Sequence, residues 1–462
     1  MTADKEALGA PGTGHKEAAN DNGVSGVIRQ NVAGAEVLDA IRQELGRNHL
    51  RRRLLVYVHI PFCSSKCTFC GWVAGISAPQ LRSADDIRAQ YVSSLLSQIE
   101  YYAPRLMTLG YSPEIVYWGG GTPSILSPAQ MTSIGNALRE NFDLSGVYEY
   151  AVESSPETLT AEKIQALQAA GMNRLSIGVQ SFDDDELHRA GRAHSSRTAE
   201  EAIQLVRQQG CRNLNVDIIT GFPGQSPDVL ERTIAKTVQL HPEHVTAYSY
   251  YIVNETVMAR QLKRGYRSGL NTEQRAIAQD YVYEALTESG YTDYMPMYYS
   301  ITPGYQFSGE SYYFDWLGDY IGFGSGANSV LAHHGLGCNR GNLARYISSP
   351  TAFDQVRRMS IRDALGDIFG SLVTSGRPVN YERFRARFGF DFEAVLTRPR
   401  FKALQRVLER LGTPLILDSS EAYISAPDGC RHGGDWVRQS DNVWAIIEAA
   451  LSRRQQLKEE TV

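Results

Sequence analysis

The chain has 462 residues, 42% hydrophobic and 21% charged, with a formal net charge of −5, which suits a globular protein of two or three domains and gives no electrostatic case for a nucleic-acid partner. No run of about 18 apolar residues is present, so no membrane partner is expected, and the polar start Met1-Thr2-Ala3-Asp4-Lys5-Glu6 is unlike a signal peptide; the expectation is a cytoplasmic monomer. Six cysteines make no disulfide framework, and the isolated Cys211, Cys338 and Cys430 read as buried or partly buried free thiols.

In chain order, residues 1–25 carry almost no large apolar side chains and read as a disordered or weakly docked arm. The apolar spacing of Val37–Leu45 predicts an amphipathic helix, and residues 1–50 are taken as an N-terminal extension. From Leu54 a regular alternation begins. Strand-like runs are expected at Leu54–Ile60, Glu114–Trp118, Tyr148–Glu153, Arg174–Val179, Asn213–Ile219 and His244–Tyr250. Helices are expected between them at Asp85–Tyr102, Pro128–Asn141, Ala161–Ala170, Asp183–Ala190, Ser196–Gln209 and Pro227–Gln239, with start signals such as Ser127-Pro128 and Ser226-Pro227. Arg51-Arg52-Arg53 is too short a basic run to suggest more than a solvated strand start. Six strand–helix units imply a parallel sheet with right-handed crossovers. The expected fold class is therefore α/β, a partial (β/α)6 barrel over residues 51–330, with functional residues at the strands' C-terminal ends.

Residues 272–289 read as a helix, and the Tyr- and Gly-rich stretch 291–330 has no clear period. Helices are then expected at Asp354–Arg362, Gly366–Val373, Asn380–Phe388, Lys402–Leu411 and Asp441–Ser452, with strands at Pro414–Leu417 and Ala422–Ser425. This is the pattern of a smaller C-terminal α+β domain, residues 331–462.

The chemistry-bearing residues begin where strands are expected to end. Cys63, Cys67 and Cys70 form C-x3-C-x2-C after the first. Three close thiolates can hold three irons of a four-iron cubane and leave the fourth iron open for catalysis. A structural zinc site would need a fourth ligand, for which His59 is a candidate. The turn Gly119-Gly120-Gly121-Thr122-Pro123-Ser124 lets backbone approach a ligand closely. Glu153 could pair with a ligand ammonium or act as a turn-capping acid. Gln180 ends the next strand, and Arg192, in Gly191-Arg192-Ala193-His194, could clamp a carboxylate. Asp217 lies inside an apolar run and needs a partner there: a ribose hydroxyl, an ammonium or a core arginine.

Taken in order, these motifs resemble the radical S-adenosylmethionine (SAM) superfamily, and within it the oxygen-independent coproporphyrinogen III oxidase-like family. The segment Gly318-Asp319-Tyr320-Ile321-Gly322-Phe323-Gly324 is similar to that family's Gly-Asp-Tyr-x-Gly-x-Gly run. The resemblance implies a [4Fe-4S] cluster on Cys63, Cys67 and Cys70, and SAM on its open iron. SAM is then cleaved reductively to a 5′-deoxyadenosyl radical, with electrons from a low-potential donor such as flavodoxin or ferredoxin. It also implies that Gly120, Gly121, Thr122, Glu153 and Arg192 bind the cluster-bound SAM and that Phe69 and Gly71 lie near its adenine. Gln180, Asp217 and Ile219 match positions holding a second SAM molecule, and Tyr57 one beside cluster and substrate. Tyr57, Glu153 and Gln180 are the candidate catalytic residues.

Two departures narrow the expectation. The porphyrinogen oxidases of this family usually carry another cysteine two residues after the third; here that position is Trp72, which is more similar to class C radical SAM methyltransferases. The heme chaperones usually carry a His-Asn pair before the Gly-Asp-Tyr run; the corresponding stretch Phe307–Trp316 has no histidine. Its tyrosines, with Tyr298 and Tyr299, could instead stack on a flat substrate or simply pack. The expected activity is methyl or methylene transfer from a second SAM to an sp2 carbon of an unsaturated or heteroaromatic small molecule. The alternatives are coproporphyrinogen III oxidation and heme chaperoning.

Overall fold

The computed structural model describes residues 29–45, 52–71, 84–254, 256–265, 268–309, 318–332, 334–337, 343–358, 365, 368–369, 372, 378–397, 399–410 and 415–424. The expected disordered arm, the helix at Asp441–Ser452, and the residues Trp72, Tyr312, Tyr313, Cys338 and Cys430 lie outside them. The strands are β1 (Arg29–Val32), β2 (Arg52–Ile60), β3 (Tyr111–Gly120), β4 (Glu149–Ser154), β5 (Arg174–Gln180), β6 (Leu214–Thr220), β7 (His244–Ser249), β8 (Thr292–Met295) and β9 (Tyr298–Ser300). They continue with β10 (Asp319–Phe323), β11 (Asn328–Leu331), β12 (His334–Gly337), β13 (Phe353–Arg358), β14 (Val379–Asn380), β15 (Leu415–Leu417) and β16 (Glu421–Ile424).

The chain divides into two compact units, and the cut falls within β6, between Asp217 and Ile218. In the first unit the strand order is β1-β13-β12-β11-β10-β2-β3-β4-β5, followed by the opening residues of β6. The pairs β10–β2, β2–β3, β3–β4 and β4–β5 are parallel. This is the α/β fold with a parallel sheet that the strand–helix alternation implies. Its strands read as apolar runs because helices cover one face: Leu54, Val56, Val58, Ile115, Val116, Trp118, Val152, Leu175 and Ile177 are fully buried.

The helices begin and end where local chemistry dictates. Pro128–Asn141 starts at a capping box, Ser127 accepting from the Gln130 N–H while the Gln130 side chain accepts from the Ser127 N–H. Ala161–Ala170 starts at Thr160, whose hydroxyl accepts from the Lys163 N–H, and stops at Gly171 in the left-handed conformation.

In the second unit β7 pairs with β9 and β9 with β8, both antiparallel, and β14-β16-β15 form a separate three-stranded sheet. Beside that sheet is an apolar cluster built on Leu365, Ile368, Phe369, Leu372, Phe384, Phe392, Val395 and Leu408. Phe384 packs its ring 4.7 Å from Phe388 and 5.1 Å from Phe392.

One expectation needs correction, and two open readings are resolved. The helix expected at Asp354–Arg362 is overturned over its described residues: Phe353–Arg358 is a strand paired with both β1 and β12. The three-residue spacing of Phe353 and Val356 suits a helix, and long-range pairing on both edges overrides it. The stretch 291–330 contains β8 to β11. These strands have only three to five residues, and Asp319–Phe323 is buried throughout, so no period-2 alternation could be seen. Tyr298 and Tyr299 are 5% and 1% exposed, so of the two readings left open for them the structure supports packing. Cys211 is a buried free thiol, as expected.

Candidate active site

The register of the parallel strands sets one polar face. Tyr57 pairs with Tyr117, Tyr117 with Ala151, and Glu153 with Ser176. At Tyr57, Tyr117, Glu153, Ser176, Gly178, Gln180 and Asp217 the residues are half-buried while their strand neighbours are mostly buried. Period-2 alternation thus places these side chains on the face opposite the helices. Tyr57 stacks on Tyr117 with ring centroids 5.9 Å apart, and its hydroxyl lies 3.0 Å from His59 Nδ1.

Glu153 is the centre of this face. The Tyr117 hydroxyl donates to its Oε1, and the Gly120 N–H donates to Oε2 at 3.2 Å. Burial pushes its carboxyl up to about 7; the Tyr117 hydrogen bond draws it down, the nearby Asp217 raises it further and the Gly120 N–H lowers it. Asp217 accepts from the Ser176 hydroxyl at 2.9 Å and from the Asn215 amide at 2.7 Å. Two acids that oppose each other's ionisation in a sheltered site suit a cationic ligand, and the ammonium and sulfonium of SAM are of that kind.

The thiol loop leaves the end of β2 and is seated by two glycines. The Gly121 N–H donates to the Ile60 carbonyl at 2.8 Å and the Thr122 N–H to the Phe62 carbonyl at 2.7 Å. A Cβ on Gly121 would meet the Phe62 carbonyl oxygen at 2.5 Å, so only glycine allows this approach. On the other side the Thr68 N–H donates to the Ala190 carbonyl at 2.8 Å and the Ser65 hydroxyl to the Gly191 carbonyl at 3.2 Å. Gly191 has φ +74°, and a Cβ there would meet the Lys66 carbonyl at 2.9 Å.

The three cysteines are partly exposed free thiols. Burial pushes Cys63 up to about 11, the Thr122 hydroxyl lowers it, and Cys70 and Cys67 raise it further, so the three share one electrostatic neighbourhood. Thr122 Oγ1 donates to Cys63 Sγ at 3.6 Å, and Arg192 Nη1 to Cys67 Sγ at 3.4 Å. Among the described residues no three His, Cys, Asp or Glu side chains converge for a single metal ion. A four-iron cluster asks for something different, one thiolate on each of three irons. With Thr122 and Arg192 donating to sulfur, the donor set fits such a cluster.

Arg192 joins this loop to the polar face. Its Nη2 donates to the Ser155 hydroxyl at 2.8 Å and to the Gly178 carbonyl. Gln180, at φ +70°, folds its amide over Gly178, where a Cβ would lie 2.8 Å from Gln180 Nε2. Phe69 is half-buried between Cys67 and Cys70, and Gly71 is exposed and lies against Val253. Cys63, Cys67, Gly121, Thr122 and Arg192 are thus brought together by direct contacts, and Gly120, Glu153 and Asp217 by a hydrogen bond and mutual electrostatics. Ile219 is buried two residues beyond Asp217, in the second unit. The reading of the sequence assigned no role to Tyr117, Ser176 or Asn215; their two-residue spacing from Gly119, Gly178 and Asp217 is the signal that could have found them.

Comparison with known proteins agrees with this chemistry. The Radical SAM superfamily pattern matches residues 57–236. The heme chaperone HemW of Lactococcus lactis is 31% identical over 277 residues, covering 60% of this chain and 69% of that protein. The oxygen-independent coproporphyrinogen III oxidase of Escherichia coli is 32% identical over 240 residues, 52% of this chain and 51% of its own length. The solved structure of Escherichia coli coproporphyrinogen III oxidase (HemN), a radical SAM enzyme, superposes with a TM-score of 0.68, covering 86% of this chain and 92% of that one; at 22% identity this speaks for the fold. Membership implies a [4Fe-4S] cluster and SAM as cofactors. No described helix is long and apolar enough to cross a membrane. The chain belongs to the radical SAM superfamily, in the coproporphyrinogen III oxidase-like family that includes HemW and HemN.

Proposed function

We propose that this protein is a cytoplasmic radical SAM enzyme that transfers a methyl or methylene carbon from a second SAM molecule to an sp2 carbon of an unsaturated or heteroaromatic small molecule. In this reading residues 51–330 are the catalytic barrel domain and residues 331–462 a smaller α+β domain. A low-potential flavodoxin or ferredoxin supplies electrons. When bound, the cluster supplies the electron that splits SAM and releases the 5′-deoxyadenosyl radical. The residues of the chain bind and orient: Cys63, Cys67 and Cys70 would take the cluster, with Thr122 donating to the Cys63 sulfur and Arg192 to the Cys67 sulfur. Gly120, Gly121, Thr122, Glu153 and Arg192 would take the first SAM, with Glu153 as partner for its ammonium and Phe69 and Gly71 near its adenine. Gln180, Asp217 and Ile219 take the second, and Tyr57 faces the substrate.

The observation that carries the reading is that Asp217, held by Ser176 and Asn215, is a second acidic position beside Glu153 on the same polar face. Two acids give two cationic ligands separate partners, and carbon transfer requires two SAM molecules. Trp72 in place of a fourth cysteine supports carbon transfer over porphyrinogen oxidation. A second reading, heme chaperone, is favoured by the identity to HemW; the absence of histidine from residues 307–316 weighs against it.

The test is incubation of reduced, reconstituted protein with methyl-labelled SAM and candidate heteroaromatic acceptors. Formation of 5′-deoxyadenosine with label in product is expected. 5′-Deoxyadenosine without transferred label would reject carbon transfer, and stoichiometric heme binding without SAM cleavage would favour the chaperone.

A further inference from the structure

One half-buried acid outside the residues assigned above reaches the thiol loop directly. Glu157 lies in the short turn Pro156–Thr158 after β4. Its Oε1 accepts from the Ser64 hydroxyl at 2.5 Å, and Ser64 is the neighbour of Cys63. Its Oε2 accepts from the Ser155 hydroxyl at 2.6 Å. The same Ser155 oxygen accepts from Arg192 Nη2 at 2.8 Å, and Arg192 Nη1 reaches Cys67 Sγ at 3.4 Å. Glu157 thus stands where two arms meet, one ending beside Cys63 and the other on Cys67.

The acid is itself held from behind. His194 Nδ1 lies 3.4 Å from Oε2, and the imidazole side chain is fully buried. Its Nε2 lies 3.1 Å from the Val179 carbonyl oxygen. A carbonyl only accepts, so Nε2 carries a proton. Nδ1 faces the Glu157 carboxylate. Ser64 and Glu157 are 93 residues apart in sequence, so this contact fixes one loop against another and is not local turn chemistry.

We propose that Glu157 is a positioning residue for the iron–sulfur cluster: through Ser64, and through Ser155 and Arg192, it holds Cys63 and Cys67 at the separation the cluster needs. The proposal rests on the chain's carrying a cluster, not on the carbon-transfer reading. The distinction matters because buried hydrogen-bond partners of metal-binding loops govern how firmly the metal is held.

The test uses the full-length reconstituted protein without SAM or substrate, so its outcome is independent of the reaction catalysed. Iron release to a chelator and the electron paramagnetic resonance spectrum of the reduced cluster are measured for Ser64→Ala, Glu157→Gln and the double variant. Each single variant should release iron about 10-fold faster at an unchanged melting temperature and with an altered spectrum. The double variant should be no faster than Glu157→Gln alone, because both act through one contact. A release rate and spectrum unchanged in Ser64→Ala, or fully additive rates in the double variant, would overturn the proposal. Should Glu157→Gln fail to fold, Ser64→Ala decides by itself, since it removes one hydroxyl and leaves Glu157 with its Ser155 and His194 contacts in place.

Discussion

Replacing Glu153 by Gln should stabilise the cluster-free protein in alkaline solution while removing its partner for a ligand ammonium. Glu153 is carried from its ordinary 4.5 to about 7 by burial, with Asp217 adding to the rise. Its folded-state value lies above its unfolded one, so the native state holds the proton more tightly. The stability this gives is fully present below 4.5 and is lost as pH rises through 7. At about 1.4 kcal/mol per pH unit, that displacement makes stability fall by about 2.5 kcal/mol between about pH 5 and about pH 8. Water reaches part of the residue, so this is a ceiling. Gln matches the protonated acid in shape: its Oε1 can accept from the Gly120 N–H while its Nε2 donates to the Tyr117 oxygen. The variant should therefore lack this part of the pH dependence. The assay is urea denaturation of both cluster-free proteins under reductant across that range. A wild-type minus variant difference that is flat, or that grows with pH, would refute the reasoning.

Arg192→Lys cannot reach Ser155, Gly178 and Cys67 together, and SAM binding to the reconstituted protein should weaken by about 10-fold, or ~1.4 kcal/mol, in an equilibrium titration. Gly121→Ala drives a Cβ into the Phe62 and Ile60 carbonyl oxygens at 2.5 and 2.7 Å. It should cost roughly 1–3 kcal/mol in chemical denaturation and lower the iron content after reconstitution. Phe384→Ala removes a fully buried ring from the aromatic cluster of the second unit; unfolding of the full chain should show a loss of about 3–5 kcal/mol for that unit.

The parts of the fold that could be read in advance are those where one local signal sufficed. Ala161–Ala170 is bounded by a threonine cap and a left-handed glycine, both visible in the sequence, and the structure places that helix on the residues expected. The thiol loop follows, and the glycine turn and Glu153 sit at, the C-terminal ends of strands that apolar runs announce. What stayed hidden depends on contacts between distant residues. Phe353–Arg358 satisfies a helical spacing until two neighbouring strands pair with it. The two-residue spacing of Tyr117 and Ser176 from Gly119 and Gly178 gains its meaning once the register aligns β3, β4 and β5. Ser64 and Glu157 are ordinary loop residues until the turns after β2 and β4 meet.

The end of β5 has an implication for anyone redesigning this protein. A residue at φ +70° invites glycine, and an extended interior position invites a branched side chain, yet the chain has Gln180 at the first and Gly178 at the second. An algorithm scoring backbone comfort would choose Gln180→Gly together with Gly178→Val. The first change leaves no amide to present, and the second fills the space where the Gln180 amide lies. The redesigned chain would have lost a side chain on the polar face of the sheet. At this strand end the uncomfortable backbone marks the position a designer should leave alone.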